Sequence, residues 1–303
     1  MARVSVVIPS FNSGVFLERA VATVLAQTAS DLEVVVIDDG SDHPQVDIGD
    51  LDDRVRFHQQ QNRGVSIARN VGVALARSEL IAFMDHDDEW HPKKLERQLA
   101  MVDEHPRAAF WCTGFDWVAD ATEVVARADA PTYQGLLSTQ HVLLSSVLVR
   151  RDNYTAVGGH NPLLAQMQDW DLLLRLAMDG GVPVIAQEQL VRYHLHDSNA
   201  SRDYRRAVAE RLSILADHER RAIQHNDRAT LAAIAVGRAR TRELFAYQAV
   251  EATRSAVTTD RRAAFQHFAF ASRMSPSVAT RAIAQAILAR ARHPRGIAKS
   301  VHD

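Results

Sequence analysis

The sequence is poor in cysteine: Cys112 is the only one among 303 residues. An intrachain disulfide is therefore excluded, and nothing marks the chain as built for an oxidising compartment, so the cytoplasm is the expected location. Long apolar runs are also lacking. No window approaches the roughly 20 apolar residues that cross a bilayer, so any membrane contact is expected to be peripheral. The first apolar stretch, Val4 to Ile8, is closed by Pro9 and is too short for a signal peptide; it reads as a strand. Internal repeats and low-complexity linkers are absent, which excludes a repeat array and a loosely tethered second unit.

What is present suits a globular chain with one large core and an appendage, since 47% of residues are hydrophobic and 24% charged. The net charge of -2 hides an asymmetry. Residues 1–204 carry 17 Lys and Arg against 29 Asp and Glu, whereas residues 205–303 carry 18 against 8. An acidic unit over 1–204 and a basic helical region over 205–303 are expected.

Short β-branched runs alternate with helical patterns through the first hundred residues: Val4–Ile8, Val15–Gln27, Leu32–Ile37, Val55–His58, Val65–Ala76 and Leu80–Met84. Strands joined by crossover helices predict a mostly parallel, doubly wound α/β sheet, and such sheets bind ligands at the carboxyl ends of their strands. The loops after the strands are therefore informative. Pro9-Ser10-Phe11-Asn12 follows the first, Asp38-Asp39-Gly40-Ser41-Asp42 the second and Asp85-His86-Asp87-Asp88 the fourth. From Asp169 to Met178 the pattern is an amphipathic helix, with short strands expected near 182–185 and 189–194. After Ser201 nearly everything reads as helix.

Carboxylates clustered at the end of a buried strand repel one another unless a cation joins them. A hard divalent ion fits, because Mg²⁺ typically takes one or two carboxylates and is completed by substrate phosphates. Helix capping accounts for one of these acids, Asp88 ahead of the helix starting near Pro92, but not for three. The Asp38–Asp42 segment also has the composition of a plain turn. Arg69 is suited to a phosphate or a base, and equally to pairing with an aspartate.

Together, Val4-Ser5-Val6-Val7-Ile8-Pro9-Ser10-Phe11-Asn12, Asp38-Asp39-Gly40-Ser41, Asn62-Arg63-Gly64 through Arg69-Asn70, Phe83-Met84-Asp85-His86-Asp87-Asp88 and Gln168-Asp169-Trp170-Asp171 resemble the family two glycosyltransferases, over roughly residues 3–200. The resemblance implies the GT-A fold, inversion at the sugar carbon, and a donor site with Pro9, Phe11, Asp38, Asp39, Arg69 and Asp85. Phe11 would pack on the base, Asp39 would bind its imide edge, and Asp85 would lie near the ribose or metal. It implies a Mn²⁺ or Mg²⁺ ion on Asp87 of the DXD motif, with His196 as a further ligand, and Asp169 as catalytic base. Gln168 stands where the family usually has Glu, and Gly158-Gly159-His160-Asn161 stands where it favours Phe-Asp after the glycines.

The expected activity is transfer of a sugar from a UDP-linked donor to an acceptor hydroxyl on a glycan or lipid-linked acceptor, in cell-surface polysaccharide or glycoconjugate synthesis. A nucleotidyltransferase is disfavoured because Pro9–Gly14 is not its Gly-rich, Arg-containing loop, and a processive synthase because spans and a Gln-x-x-Arg-Trp segment are missing. A catalytically inactive sugar-nucleotide binder is the alternative from another class. No nucleic acid partner is expected. Residues 276–299 hold Arg281, Arg290, Arg292, Arg295 and Lys299 and no acid. Two readings of that stretch stand: a helix lying on an anionic membrane, or a face docked on the sheet or on a second copy.

Overall fold

The computed structural model describes residues 2–42, 52–119, 122–126, 132–139, 142–178, 181–194 and 203–292. Four strands, β1 (Val4–Ser10), β2 (Leu32–Asp38), β3 (Val55–Gln59) and β4 (Leu80–Phe83), lie parallel in the order β3-β2-β1-β4. Helix α1 (Val15–Leu25) joins β1 to β2, and α2 (Val65–Leu75) joins β3 to β4. These crossovers cover opposite faces. Val6, Ile8, Val34 and Val36 pack with Leu17, Val21 and Val24 of α1, while Val35 and Ile37 pack with Ala68 of α2. The period of two along a strand buried on both sides explains why these runs are continuously apolar. Each such Val or Ile contributes about 1.5–3 kcal/mol by leaving water.

The expected parallel, doubly wound arrangement thus occupies residues 4–83; beyond it the sheet is mixed. After the short strand β5 (Glu89–Trp90) and helix α3 (Lys94–Glu104) come β6 (Trp111–Ala119) and β7 (Thr122–Ala126). Helix α4 (Tyr133–Ser138), β8 (Val147–Arg150), α5 (Arg151–Ala156), α6 (Gln168–Met178) and β9 (Val184–His194) follow. β8 runs antiparallel to both β4 and β6, and β9 lies parallel to β6. The two short strands expected near residues 182–194 are one strand, irregular where its register on β6 shifts around Gly114.

Residues after 203 form α7 (Tyr204–Gln224), α8 (Arg228–Ala256), α9 (Arg261–Met274) and α10 (Pro276–Arg292). Asp203, Asp227 and Asp260 cap the first three, each carboxylate accepting a backbone N–H of the opening turn. The helices dock on the sheet: Ile214, Leu215, Ala233 and Ile234 share a core with Val7, Phe83, Trp170 and Leu173. A second cluster holds α7 to α10 together through Val208, Phe245, Ala249, Ala271 and Val278. In α10, Val278 joins this cluster, Ala279 is buried, Ile283 is exposed, and Arg281 pairs with Glu243 at 3.4 Å. No helix among the described residues is long and apolar enough to cross a membrane.

Candidate active site

The register of the parallel strands decides where chemistry can gather. Ser10 pairs with Asp38, and Asp38 with Gln59, so the chain leaves β1, β2 and β3 at one level. The first two loops are laced together: the Asn12 backbone N–H donates to Ser41 Oγ at 2.8 Å, and the Asp42 N–H donates to Asn12 Oδ1 at 2.9 Å. Gly40 turns the chain at φ 76°, and a Cβ there would lie 2.7 Å from the Asn62 nitrogen, so only glycine fits. The rim of β1, β2 and β4, together with the start of α6, encloses a cavity of about 650 Å³. Pro9, Phe11, Asp39, Arg69, Asp85, Asp87 and Asp169 all line it.

Asp38 and Asp39 have different surroundings. Asp38 is fully buried and absent from the cavity wall; it accepts from the Ser41 hydroxyl at 2.5 Å and from Gln59 Nε2 at 3.0 Å. Its observed work is to hold the loop rather than to face a ligand, because neighbouring residues of an extended strand point opposite ways. Asp39 does reach the cavity. Its Oδ1 accepts from Gln60 Nε2 at 2.7 Å and the Arg63 N–H at 2.9 Å, and its Oδ2 from the Gly64 N–H at 2.7 Å. A carboxylate has about four acceptor sites, so Oδ2 keeps capacity for one more donor.

At the centre lies Arg69 of α2, buried between two acids. Its Nη2 meets Asp85 Oδ1 at 2.5 Å and its Nη1 meets Asp169 Oδ1 at 2.6 Å. Burial opposes its charge, but the two carboxylates outweigh burial and keep it protonated. Of the two roles open to Arg69 in sequence, aspartate pairing is the one the structure displays, on a residue that also lines the cavity. Burial would likewise raise the Asp169 carboxyl, yet Arg69 and a contact with His160 hold it below the ordinary carboxylate range. Asp85 goes the other way: burial raises it, Arg69 opposes, and the charges of Asp169 and Asp87 add to the rise. Asp88, fully buried, is raised well above the usual value by burial and then by Asp85. It does not cap the following helix, which starts at Lys94 without any side-chain cap.

Asp85, Asp87 and Asp88 crowd one loop; burial is the first cause of the upward displacement of Asp85 and Asp88, and neighbouring carboxylates add to it. A cation beside these carboxylates would relieve their mutual repulsion. Among the described residues no three ligating side chains converge on one point. His196 lies outside the described residues.

Two contributors escaped the sequence reading. Glu210 of α7 accepts three successive backbone N–H groups, from Ala165 at 3.0 Å, Gln166 at 2.8 Å and Met167 at 3.0 Å, in the segment that leads into Asp169. Only a fold that docks α7 beside α6 could reveal it. His160 is fully buried beside Asp169, with its Nε2 3.4 Å from Oδ1. Its place after Gly158-Gly159, where the resemblance favours Phe, was the signal available. Gln168 lines the cavity with a buried, unpartnered Oε1. Trp111 and Trp170 are core residues, with no exposed face for a sugar ring.

Comparison with known proteins fits this arrangement. The sequence model described as Glycosyl transferase family 2 matches residues 5–141. The Bacillus subtilis protein named as a teichuronic acid biosynthesis glycosyltransferase, TuaG, is 29% identical over 226 residues, covering 72% of this chain and 88% of TuaG. Over residues 5–141 this chain is similar to glycosyl transferase family 2. An uncharacterized Nostoc sp. glycosyltransferase is 41% identical over 100 residues, only 31% of either protein. In three dimensions the fold is similar to S. aureus TarS residues 1–349 in complex with UDP-GlcNAc, with a TM-score of 0.59 at 15% identity over 88% of this chain and 89% of that one. This likeness shows a GT-A-like fold.

Proposed function

We propose that the protein is an inverting glycosyltransferase that moves a sugar from a UDP-linked donor to an acceptor hydroxyl, in the synthesis of a cell-surface polysaccharide or glycoconjugate. The observation that carries this reading is the gathering of Phe11, Asp39, Arg69, Asp85, Asp87 and Asp169 around one cavity at the carboxyl ends of the strands. TuaG is named for teichuronic acid biosynthesis, which supports a cell-surface polysaccharide, and TarS is in complex with UDP-GlcNAc, which supports a nucleotide-sugar donor.

In this reading Phe11, 43% exposed on the cavity wall, offers its ring to the base. The remaining capacity of Asp39 Oδ2 accepts an N–H of the uracil imide. Arg69 lies where its charge can be shared with a diphosphate. The acceptor oxygen attacks the anomeric carbon as its proton passes to Asp169, while the bond from that carbon to the diphosphate breaks on the opposite face, so configuration inverts. The depressed carboxyl of Asp169 keeps it ionised and able to receive the proton throughout the neutral range. When bound, Mn²⁺ or Mg²⁺ on Asp87 and His196 would supply Lewis-acid stabilisation of the leaving diphosphate. Residues 1–204 form the catalytic unit, with 205–303 as its helical support. The location is cytoplasmic, with the basic helices supporting peripheral contact with anionic lipid.

A panel of nucleotide sugars in a thermal-shift assay tests the donor class. One UDP-sugar should stabilise the protein by about 2.7 kcal/mol at a hundred times its Kd. Absence of a shift with every nucleotide sugar, with and without Mn²⁺, would overturn the reading.

A further inference from the structure

Phe11 and Asp39, the two contacts assigned to the donor's base, stand on separate loops, one after β1 and one after β2, and both line the cavity. Apolar packing does not hold the tips of these loops, where Phe11, Asn12 and Asp42 are exposed. Polar contacts do. The Asp39 N–H donates to the Ser10 carbonyl at 2.8 Å and so fixes the chain just before Phe11. Just after it, Asn12 is tied three times: its backbone N–H donates to Ser41 Oγ at 2.8 Å, its Nδ2 donates to Asp42 Oδ2 at 2.9 Å, and its Oδ1 accepts the Asp42 N–H at 2.9 Å. Phe11 is therefore bracketed by bonds to the loop that carries Asp39.

These ties reach back into the sheet. Ser41 Oγ accepts from Asn12 and donates its own hydrogen to Asp38 Oδ1 at 2.5 Å, while Gln59 Nε2 of β3 donates to Asp38 Oδ2 at 3.0 Å. Buried Asp38 thus ends a run of donors that all point inward from the surface. Asn12 is suited to its place in two ways. Its φ of 50° lies in the left-handed region, which asparagine enters more readily than most residues bearing a Cβ. Its side-chain amide also offers a donor and an acceptor together, as a backbone N–H and a carboxylate on one neighbour require. Beneath it the hydroxyls of Ser10 and Ser13, both buried, lie 2.7 Å apart and close the turn.

We propose that the clasp of Asn12 on Ser41 and Asp42 is a positioning device for the donor's base: it sets the gap between the Phe11 ring and the Asp39 carboxylate before the nucleotide arrives. The inference rests on the reading of the cavity as a UDP-sugar site. A slot formed in advance spares the cost of ordering two loops on binding, so the clasp contributes affinity without giving an atom to the base. Asn12 borders the cavity, yet both polar atoms of its amide are already engaged by Asp42.

The test exchanges the two partners and reads UDP affinity by calorimetry with Mn²⁺ present. Asn12→Asp sets two carboxylates against each other, opens the clasp and should weaken UDP binding about tenfold. Asp42→Asn keeps an oxygen for the Asn12 amide and should stay within about twofold of wild type. When Asn12→Asp is combined with Asp42→Asn, amide and carboxylate have changed places. The side-chain hydrogen bond re-forms in the reverse sense, the backbone N–H of residue 42 keeps its acceptor, and UDP affinity should return to within about twofold of wild type. Asn12→Gly keeps the backbone turn without the side chain and should weaken UDP in the same direction as Asn12→Asp. Melting temperatures without ligand should stay close to wild type in every variant, because the clasp lies at the surface. Wild-type UDP affinity in Asn12→Asp overturns the proposal. A loss that the exchange does not repair overturns it as well, since Asn12 would then be a direct contact of the nucleotide, and so does a loss that tracks a fall in melting temperature. Wild-type protein that binds no UDP, with or without Mn²⁺, removes the donor reading beneath the proposal and the proposal with it.

Discussion

The two ends of the same parallel strands treat charge in opposite ways. At the amino end of β2, Glu33 accepts from Ser5 Oγ at 2.6 Å, from the Arg77 N–H at 2.6 Å and from Arg56 at 3.0 Å. Burial would raise that carboxyl, but these partners together hold it below its ordinary value. At the carboxyl end, Asp85 and Asp88 sit above theirs with Arg69 as the cation among them. One end meets its buried carboxylate with a full set of partners, and the other gathers several acids around Arg69. Buried carboxylates without full partners oppose folding, so the carboxyl end carries a cost that the amino end does not.

The largest effect expected from breaking this contrast is at Asp87. Asp87→Ala, or excess chelator with the wild-type protein, should abolish nearly all transfer while the melting temperature holds; full activity in chelator would show that these acids are not met by a cation. Next comes Glu210, which belongs to the helical region yet acts at the site. Glu210→Ala removes charge-assisted acceptors from three backbone N–H groups, and should lower transfer about tenfold and stability by about 1–3 kcal/mol. Chemical denaturation and kinetics on one preparation check both.

A smaller effect, confined to stability, should distinguish the two ends by sign. The folded pKa of Glu33 is depressed, so its contribution is present above the unfolded value of about 4.3 and is lost as pH falls through the folded value. Glu33→Gln should therefore cost about 1–3 kcal/mol at pH 7, with the deficit shrinking below about pH 4, and leave kcat unchanged. Asp88 is displaced upward, so its ionisation opposes folding as pH rises above about 3.9. Asp88→Asn should stabilise the protein at neutral pH. Denaturation midpoints for both variants across pH 3–8 would expose a shared sign, which would contradict the comparison.

Much of this arrangement was legible in the sequence. Continuous Val and Ile runs marked strands buried on both faces, and the loops that follow them held Asp39, Asp85 and Asp87 where the cavity lies. The helical character read after Ser201 is present from Tyr204 onward. What stayed hidden depends on contacts between distant segments. Glu210 meets residues 43 to 45 positions away, and His160 meets Asn70 across 90. No local pattern encodes those pairings. The inward turn of Asp38 was available from strand alternation, but two adjacent aspartates in a turn-like segment read as one feature. The antiparallel insertion of β8 beside β4 was equally hidden, since an apolar run specifies burial and not direction.

The most direct test of the central claim is a paired measurement on Asp169→Asn: donor affinity by calorimetry and transfer rate at saturating donor. If the carboxyl-end cavity is a glycosyltransferase site with Asp169 as its base, donor affinity should stay within about threefold of wild type while transfer falls by roughly two to four orders of magnitude. Donor binding lost in step with the rate, or transfer that survives the substitution, would contradict it.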